Sequence, residues 1–232
     1  MGGKGGVGKT TLISSLVEWY LSKGLPTAIL DLDTENKTKG SLVHFFPEIS
    51  KKLSIHGGRG LDVLLDHIDQ HSILFADMGA SSGQVTHEWF DSMYEAVKEL
   101  NVEFVAVGVL TPDPASLESI LQWAEKLQKR VKYLIVLNSG ENHQATFKLW
   151  SEESAAAKKF REIFQPEVIS MESRIPEIQN LMRTHGLTLQ SVAERKASHI
   201  PELSRVSSVI RVQSYRRKMN SEFDRVQQLF LG

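Results

Sequence analysis

The sequence predicts an α/β fold in which a mostly parallel sheet is flanked by helices on both faces. Short apolar runs that are typical of buried strands alternate with longer runs of helical periodicity. A glycine-rich stretch leads into the first helical run, and acidic or amide side chains follow several of the apolar runs. Because the carboxyl ends of parallel strands lie at one edge of a sheet, these polar residues should meet at that edge.

Length and composition exclude several classes of protein. The 232 residues are 41% hydrophobic, which is enough for one well-buried core, and the net charge of −1 favours neither nucleic acid nor membrane as a partner. The chain has no cysteine, so disulfide scaffolds and thiolate sites are excluded and a reducing cytoplasm is expected. We expect one domain over residues 1–200 and a C-terminal helical extension, residues 201–232, packed on the same domain.

The glycine-rich stretch fits the pattern G-x-x-x-x-G-K-[ST] of a phosphate-binding loop. Glycines let several backbone N–H groups point at one phosphate chain, and the following helix adds its positive N-terminal end. Lys9 can reach the β- and γ-phosphates, and the Thr10 hydroxyl can ligate Mg²⁺. The residues expected to bind phosphate are Gly3, Gly5, Gly6, Val7, Gly8, Lys9, Thr10 and Thr11.

A second lysine makes the loop more specific. Lys4 precedes Gly5 and Gly6, which gives K-G-G-x-G-K-T. This motif resembles the deviant Walker A motif of the ParA/MinD family of ATPases. In that family two subunits form a dimer with the nucleotides sandwiched between them. The extra lysine of each subunit reaches across the interface and contacts the ATP bound to the partner. The resemblance therefore implies ATP as ligand, an ATP-dependent homodimer, and catalytic roles for Lys4 and Lys9.

The start of the chain is unusual for such a loop. A phosphate loop follows a strand of about five residues, whereas only Met1 and Gly2 precede Gly3. We therefore expect that the first strand is missing from this sequence and that Met1 is not the natural start. A gap or a split at the centre of the sheet is then expected.

Two further strands end in acidic residues. The predicted strand over residues 27–33 runs into D-L-D-T-E-N, residues 31–36, which resembles the second motif of the family, usually D-x-D-P-Q-x-N. The resemblance implies that Asp33 is catalytic and orients the attacking water, a task that depends on positioning and charge.

Residues 72–77 end in Asp77 in the manner of a Walker B strand, so Asp77 and Thr10 are the expected Mg²⁺ ligands. The following D-M-G-A-S-S is similar to a loop of TraL-like conjugation proteins.

The rest of the chain continues the alternation, with helices expected over residues 88–100 and 115–129 and strands over residues 104–110, 133–137 and 167–171. By resemblance, Asn138 hydrogen-bonds the adenine base, and Arg174 and Pro176 belong to the segment that flanks it. A turn residue and a simple helix start are the alternatives for these positions.

One long helix is predicted from about Pro201 to the end of the chain. Its simplest interpretation is a helix packed on the domain. Since Arg211, Arg216, Arg217 and Lys218 make it locally basic, it could also bind a protein partner, DNA or, less readily, a membrane surface.

The resemblance covers roughly residues 2–190. It implies a protein that binds Mg-ATP, hydrolyses it slowly and positions or partitions cargo, or that acts as a plasmid or conjugation accessory. Two alternatives stay open. One is an ATP-dependent synthetase or amidotransferase on the same fold, and the other is a scaffold that holds ATP without hydrolysis. Fold alone does not decide among them.

Overall fold

The computed structural model describes residues 6–32, 41–54, 60–68, 70–78, 83–140, 146–172 and 174–231. Five strands of this part coincide with the predicted apolar runs, whereas β2 has the sequence Ser-Lys-Lys and carries no apolar signal. The strands are β1 Thr27–Asp31, β2 Ser50–Lys52, β3 Ile73–Asp77, β4 Val105–Leu110, β5 Lys132–Asn138 and β6 Glu167–Met171.

All strand pairs among the described residues are parallel, and they form two three-stranded sheets in the orders β2-β1-β3 and β4-β5-β6. The split of the sheet that the sequence predicts is therefore observed. Neighbouring strands end at the same level, because Asp31 lies opposite Asp77 and Asn138 lies opposite Met171. This alignment brings the polar residues at the strand ends to a common edge in each sheet.

Helices connect and cover the strands. Asp113, Ser154 and Thr188 each begin a helix by accepting a backbone N–H with the side-chain oxygen, as capping residues do. None of the helices in the described ranges is both long and apolar enough to cross a bilayer. The helices are α1 Lys9–Ser22, α2 Leu42–Phe45, α3 Leu65–Ile68, α4 Gly83–Lys98, α5 Pro114–Leu127, α6 Ala155–Phe164, α7 Pro176–His185, α8 Leu189–Ala193, α9 Pro201–Ser204, α10 Val206–Arg225 and α11 Gln227–Leu231.

The middle strand of the second sheet, β5, shows that helices cover both faces. Leu134 and Val136 belong to a core to which α1, α7, α8 and α10 contribute, while Tyr133 and Ile135 belong to a second core with α4, α5 and α6. Successive side chains of a strand point to opposite faces, so each core lies on one face of the sheet. The predicted arrangement of a parallel sheet between helices is confirmed.

The predicted long C-terminal helix is confirmed as α10, but it is shorter than expected, because the segment from Pro201 onward consists of three helices. The backbone leaves helical geometry at Arg205, with φ −58° and ψ 138°, and again at Val226, with φ −109° and ψ 18°. The central helix, α10, nevertheless lies along α1 and places its apolar face in the first core. The residues of α10 in that core are Val212, Tyr215, Met219 and Phe223.

Two of the consecutive basic residues of α10 have acidic partners. Arg216 Nε lies 3.7 Å from Oε2 of the buried Glu18, and Lys218 Nζ lies 2.7 Å from Oε1 of Glu172. Arg217 between them is exposed. Two of the three cations therefore have a carboxylate partner in the same chain, and binding of a polyanion by this part of the helix stays a prediction.

Candidate functional site

Part of the predicted site lies outside the described residues. The first described residue is Gly6, so the description does not include Gly3, Lys4 and Gly5. Asp33 falls in the undescribed range 33–40. The loop D-M-G-A-S-S that begins at Asp77 falls largely in the undescribed range 79–82. The roles assigned to these residues stay predictions. The described part of the phosphate loop begins at Gly6.

Two glycines with positive φ angles determine the backbone conformation of the loop. Gly6 has φ +77° and Gly8 has φ +98°, a left-handed conformation that side chains with a Cβ rarely adopt. Gly8 also has no room for a Cβ, since this atom would lie 2.7 Å from Asn138 Nδ2 and 3.1 Å from Met171 Cε. Glycine is therefore favoured at position 8 by the backbone angle, and any larger residue there would have to push the ends of the Asn138 and Met171 side chains aside.

The N-terminus of α1 is suited to an anion. Its cap is Gly8, which has no side chain to accept the first backbone N–H groups, and its first turn carries no acidic residue. Lys9, Thr10 and Thr11 form this first turn and are half-buried. Uncapped N–H groups and the helix dipole favour negative charge, and the Lys9 ammonium adds a full positive charge. The residues present therefore fit a bound phosphate chain.

Asn138 ties the loop to the end of β5. Its Nδ2 donates to the carbonyl oxygen of Val7 at 2.8 Å, and its Oδ1 accepts from the backbone N–H of Gly140 at 2.9 Å. The side-chain amide thus fixes the loop backbone immediately before Gly8. The contact of Asn138 with adenine that the resemblance implies stays a prediction.

A contact with α7 was not predicted from the sequence. Gln179 Nε2 donates to Thr11 Oγ1 at 3.1 Å, which joins α7 to the first turn of α1. No motif marks Gln179, so this contact could be found only from the fold.

Pro176 is the first residue of α7, and the Arg174 guanidinium carbon lies 4.9 Å from the ring centroid of Tyr215. Their predicted contact with adenine is untested.

Buried carboxylates end the strands of the first sheet. Asp77 at the end of β3 is 4% exposed, and Asp31, opposite it at the end of β1, is 1% exposed. Carboxylate and hydroxyl oxygens are the ligands that Mg²⁺ prefers, and Mg²⁺ is usually held by few protein ligands together with phosphates and water. Asp77 and Thr10 carry oxygen atoms of this kind, and their joint role as Mg²⁺ ligands stays a prediction. Within the described ranges, no group of three or more acidic or histidine side chains could hold a metal by itself.

Comparison with known proteins shows a matching family and similarity to solved structures. The model of the CobQ/CobB/MinD/ParA nucleotide binding domain family matches residues 1–185. A nucleotide-binding protein from Archaeoglobus fulgidus in complex with ADP is 22% identical, with a TM-score of 0.49 over 80% of this chain and 84% of that chain. The Signal Recognition Particle 54 kDa protein from Aeropyrum pernix in complex with GDP is 17% identical, with a TM-score of 0.43 over 98% of this chain and 51% of that chain. No curated protein matches the sequence significantly.

Proposed function

The chain belongs to the CobQ/CobB/MinD/ParA nucleotide-binding domain family, and from this premise we propose that it is a ParA/MinD-type ATPase. It binds Mg-ATP, hydrolyses it slowly and dimerises when ATP is bound. One observation carries the proposal, namely the uncapped start of α1 behind a left-handed Gly8, where a Cβ would collide with Asn138. Backbone N–H groups at such a helix start can approach an anion closely.

Each residue of the site has a role in the proposed reaction. The N–H groups of the first turn of α1 bind the phosphates, and Lys9 neutralises the β- and γ-oxygens. Thr10 and Asp77 hold Mg²⁺, which supplies further positive charge to the phosphate oxygens. Asp33 orients the attacking water, and Lys4 reaches the nucleotide of a second copy. From the resemblance to the family, the nucleoside is assigned to Asn138, Arg174 and Pro176.

The role we propose for this ATP cycle is to position or partition a cargo, with a plasmid or conjugation accessory role as its narrower form. The two nucleotide states then differ in oligomeric state, so the cargo is held by the ATP dimer and released after hydrolysis. A scaffold that only holds ATP would bind nucleotide without turnover. Hydrolysis assays alone, with DNA and with lipid vesicles distinguish these roles.

Asp33→Ala should retain Mg-ATP affinity within about threefold while turnover falls by ~100-fold or more, as is typical when a group that handles the attacking water is removed. Phosphate release measures turnover, and equilibrium titration with Mg-ATP measures affinity. Glu95→Ala is the control, because it removes an exposed carboxylate of α4 and should change neither quantity. Hydrolysis at the wild-type rate by Asp33→Ala would refute the role of this residue.

Lys4→Ala should leave Mg-ATP binding of the monomer nearly unchanged and abolish the ATP-dependent dimer. The reason is that Lys4 directly follows the first loop glycine, where phosphate binding by the same chain needs no lysine. The Asp33→Ala variant should hydrolyse ATP slowly, so ATP stays bound during the measurement. Sedimentation velocity then compares the oligomeric state of Asp33→Ala with that of the double variant Lys4→Ala/Asp33→Ala. We expect a dimer for Asp33→Ala and a monomer for Lys4→Ala/Asp33→Ala. An equal ATP-induced dimer in both would contradict the assignment.

A further inference from the structure

The hydroxyl of Thr11 is hydrogen-bonded differently from two serine hydroxyls on α1, which we call the loop helix because it follows the phosphate loop. Ser14 Oγ donates to the carbonyl oxygen of Thr10 at 2.8 Å, and Ser15 Oγ donates to that of Thr11 at 3.0 Å. Donation to the carbonyl four residues earlier is common for hydroxyl side chains in helices. Thr11 Oγ1 instead accepts a hydrogen bond, at 3.1 Å, from Nε2 of Gln179 on α7.

The carbonyl four residues before Thr11 belongs to Val7 and already has a side-chain partner. It accepts from Asn138 Nδ2 at 2.8 Å. The backbone N–H of Gly140 donates to Asn138 Oδ1 at 2.9 Å, which fixes the end of the amide that faces the loop. Among the residues that the structure describes, the Thr11 hydroxyl accepts one hydrogen bond and donates none. Its proton is therefore available to a ligand.

Gln179 is presented to the loop helix by a well-packed element. Met182 of α7 is 4% exposed, and Ile178 and Leu181 pack against the same core, to which Leu12 of the loop helix also belongs. The backbone of α7 is therefore fixed relative to the first turn of the loop helix. A side chain that starts from a fixed backbone loses less freedom when it forms its hydrogen bond.

The direction of the hydrogen bond decides what Thr11 can do next. A hydroxyl has one proton to donate, and it can accept other hydrogen bonds at the same time. Because Thr11 accepts from Gln179, its own proton points elsewhere, and the accepted bond makes the hydroxyl a stronger donor. Thr11 is the third residue of the loop helix, where the cap supplies no side chain to the backbone N–H groups. An anion bound to these N–H groups is the acceptor that such a hydroxyl fits best.

We propose that Gln179 is a positioning residue of the phosphate site, which holds the Thr11 hydroxyl as a donor to a phosphate oxygen. Asn138 supports this arrangement, because it occupies the Val7 carbonyl to which Thr11 would otherwise donate. The inference rests on the proposed nucleotide binding. Gln179 acts through Thr11 and has no contact with the nucleotide. The ligand recognised in this way is a phosphate chain, with or without a nucleoside.

The test measures dissociation constants for Mg-ADP and for Mg-tripolyphosphate. Gln179→Met keeps the length of the side chain without its donor and should weaken both ligands by about fivefold, the usual effect of one lost hydrogen bond. Thr11→Val removes the hydroxyl and should weaken both by about tenfold or more, since the lost bond is to a charged group. The double variant Thr11→Val/Gln179→Met should bind within about twofold of Thr11→Val, because Gln179 acts only through this hydroxyl.

Gln179→Glu tests the direction of the hydrogen bond. An ionised carboxylate can only accept, so it keeps α7 bonded to the loop helix while it draws the Thr11 proton away from the ligand. Both affinities should fall at least as far as in Thr11→Val. Asn180→Asp is the matched control for charge, because it places a carboxylate at the neighbouring, exposed position of α7. Solvent and salt screen such a charge, so both affinities should stay nearly unchanged.

Three results would overturn the inference. The first is unchanged affinity in Gln179→Met, and the second is a double variant in which the two single losses add in full. The third is wild-type affinity in Gln179→Glu, since the hydrogen bond would then only join two helices. A loss confined to Mg-ADP would also contradict it, because Gln179 would then serve the nucleoside. Gln179 is half-exposed, so its variants remain informative if Thr11→Val fails to fold. A wild-type protein that binds neither ligand would instead refute the proposed function.

Discussion

Lys9→Ala should lower the affinity for Mg-ATP by at least about 100-fold, which corresponds to roughly 3 kcal/mol of lost binding free energy. Lys9 is the first residue of α1 and is half-buried next to the uncapped N–H groups. It supplies the full positive charge in this first turn, whereas the backbone groups supply only partial charges. Without Lys9, the charge of the β- and γ-phosphates is poorly neutralised in a partly buried site.

Equilibrium titration with a fluorescent ATP analogue measures this loss. Lys158→Ala is the matched control, since the Lys158 side chain on α6 is 70% exposed and lies 3.9 Å from Glu162 Oε1. Such surface pairs contribute little to stability, and the control should bind as the wild type does. Thermal unfolding without nucleotide should be nearly equal for both variants. Affinity of Lys9→Ala within about threefold of the wild type would contradict the assignment of the phosphate site.

Local patterns made most of the fold predictable. The apolar run over residues 133–137 is buried on both sides of β5, and Asp113 followed by Pro114 marks the start of α5 in the sequence as in the structure. The loop pattern likewise indicates a phosphate site. The spacing of its glycines lets the backbone N–H groups point at one phosphate chain, and it places Lys9 within reach of the same phosphates. Each of these predictions depends on residues that are close together in the chain.

Contacts between distant parts of the chain could not be predicted in this way. Asn138 and Val7 are 131 residues apart, and Gln179 and Thr11 are 168 residues apart. Such pairs depend on how strands and helices are arranged in space, and no sequence spacing specifies them. The cations of α10 illustrate the same limit, since the carboxylates that neutralise Arg216 and Lys218 come from α1 and from the end of β6.

The interruption of the C-terminal helix has a different cause. Apolar periodicity reports which positions are buried, and it continues across Arg205 and Val226 because the helices on either side of each break face the same core. The buried carboxylate of Glu18, which is 3% exposed, was not predicted from the sequence either, because neighbouring residues of a helix point in different directions. Burial raises the pKa of the Glu18 carboxyl, and the Gln190 N–H and the Arg216 charge partly oppose this shift.

Phe223→Ala should destabilise the whole protein by about 3–5 kcal/mol, the usual cost of emptying a large buried site. Phe223 on α10 is fully buried, and its ring centroid lies 6.0 Å from that of Trp19 on α1. The adjacent Asp224 accepts the Trp19 indole N–H at 2.9 Å, so the cavity would open where α10 meets the loop helix.

Urea unfolding followed by far-ultraviolet circular dichroism and by tryptophan fluorescence measures this cost. Ile210→Ala on the same helix is the control, since Ile210 is 55% exposed and its loss should change stability by no more than about 0.5 kcal/mol. If α10 is part of the same cooperative unit as the sheets, both probes of Phe223→Ala shift together to lower urea concentration. A separate early transition, with the main transition unchanged, would mean that residues 201–232 unfold independently of the nucleotide-binding domain. In that case α10 would detach while the phosphate site stays folded.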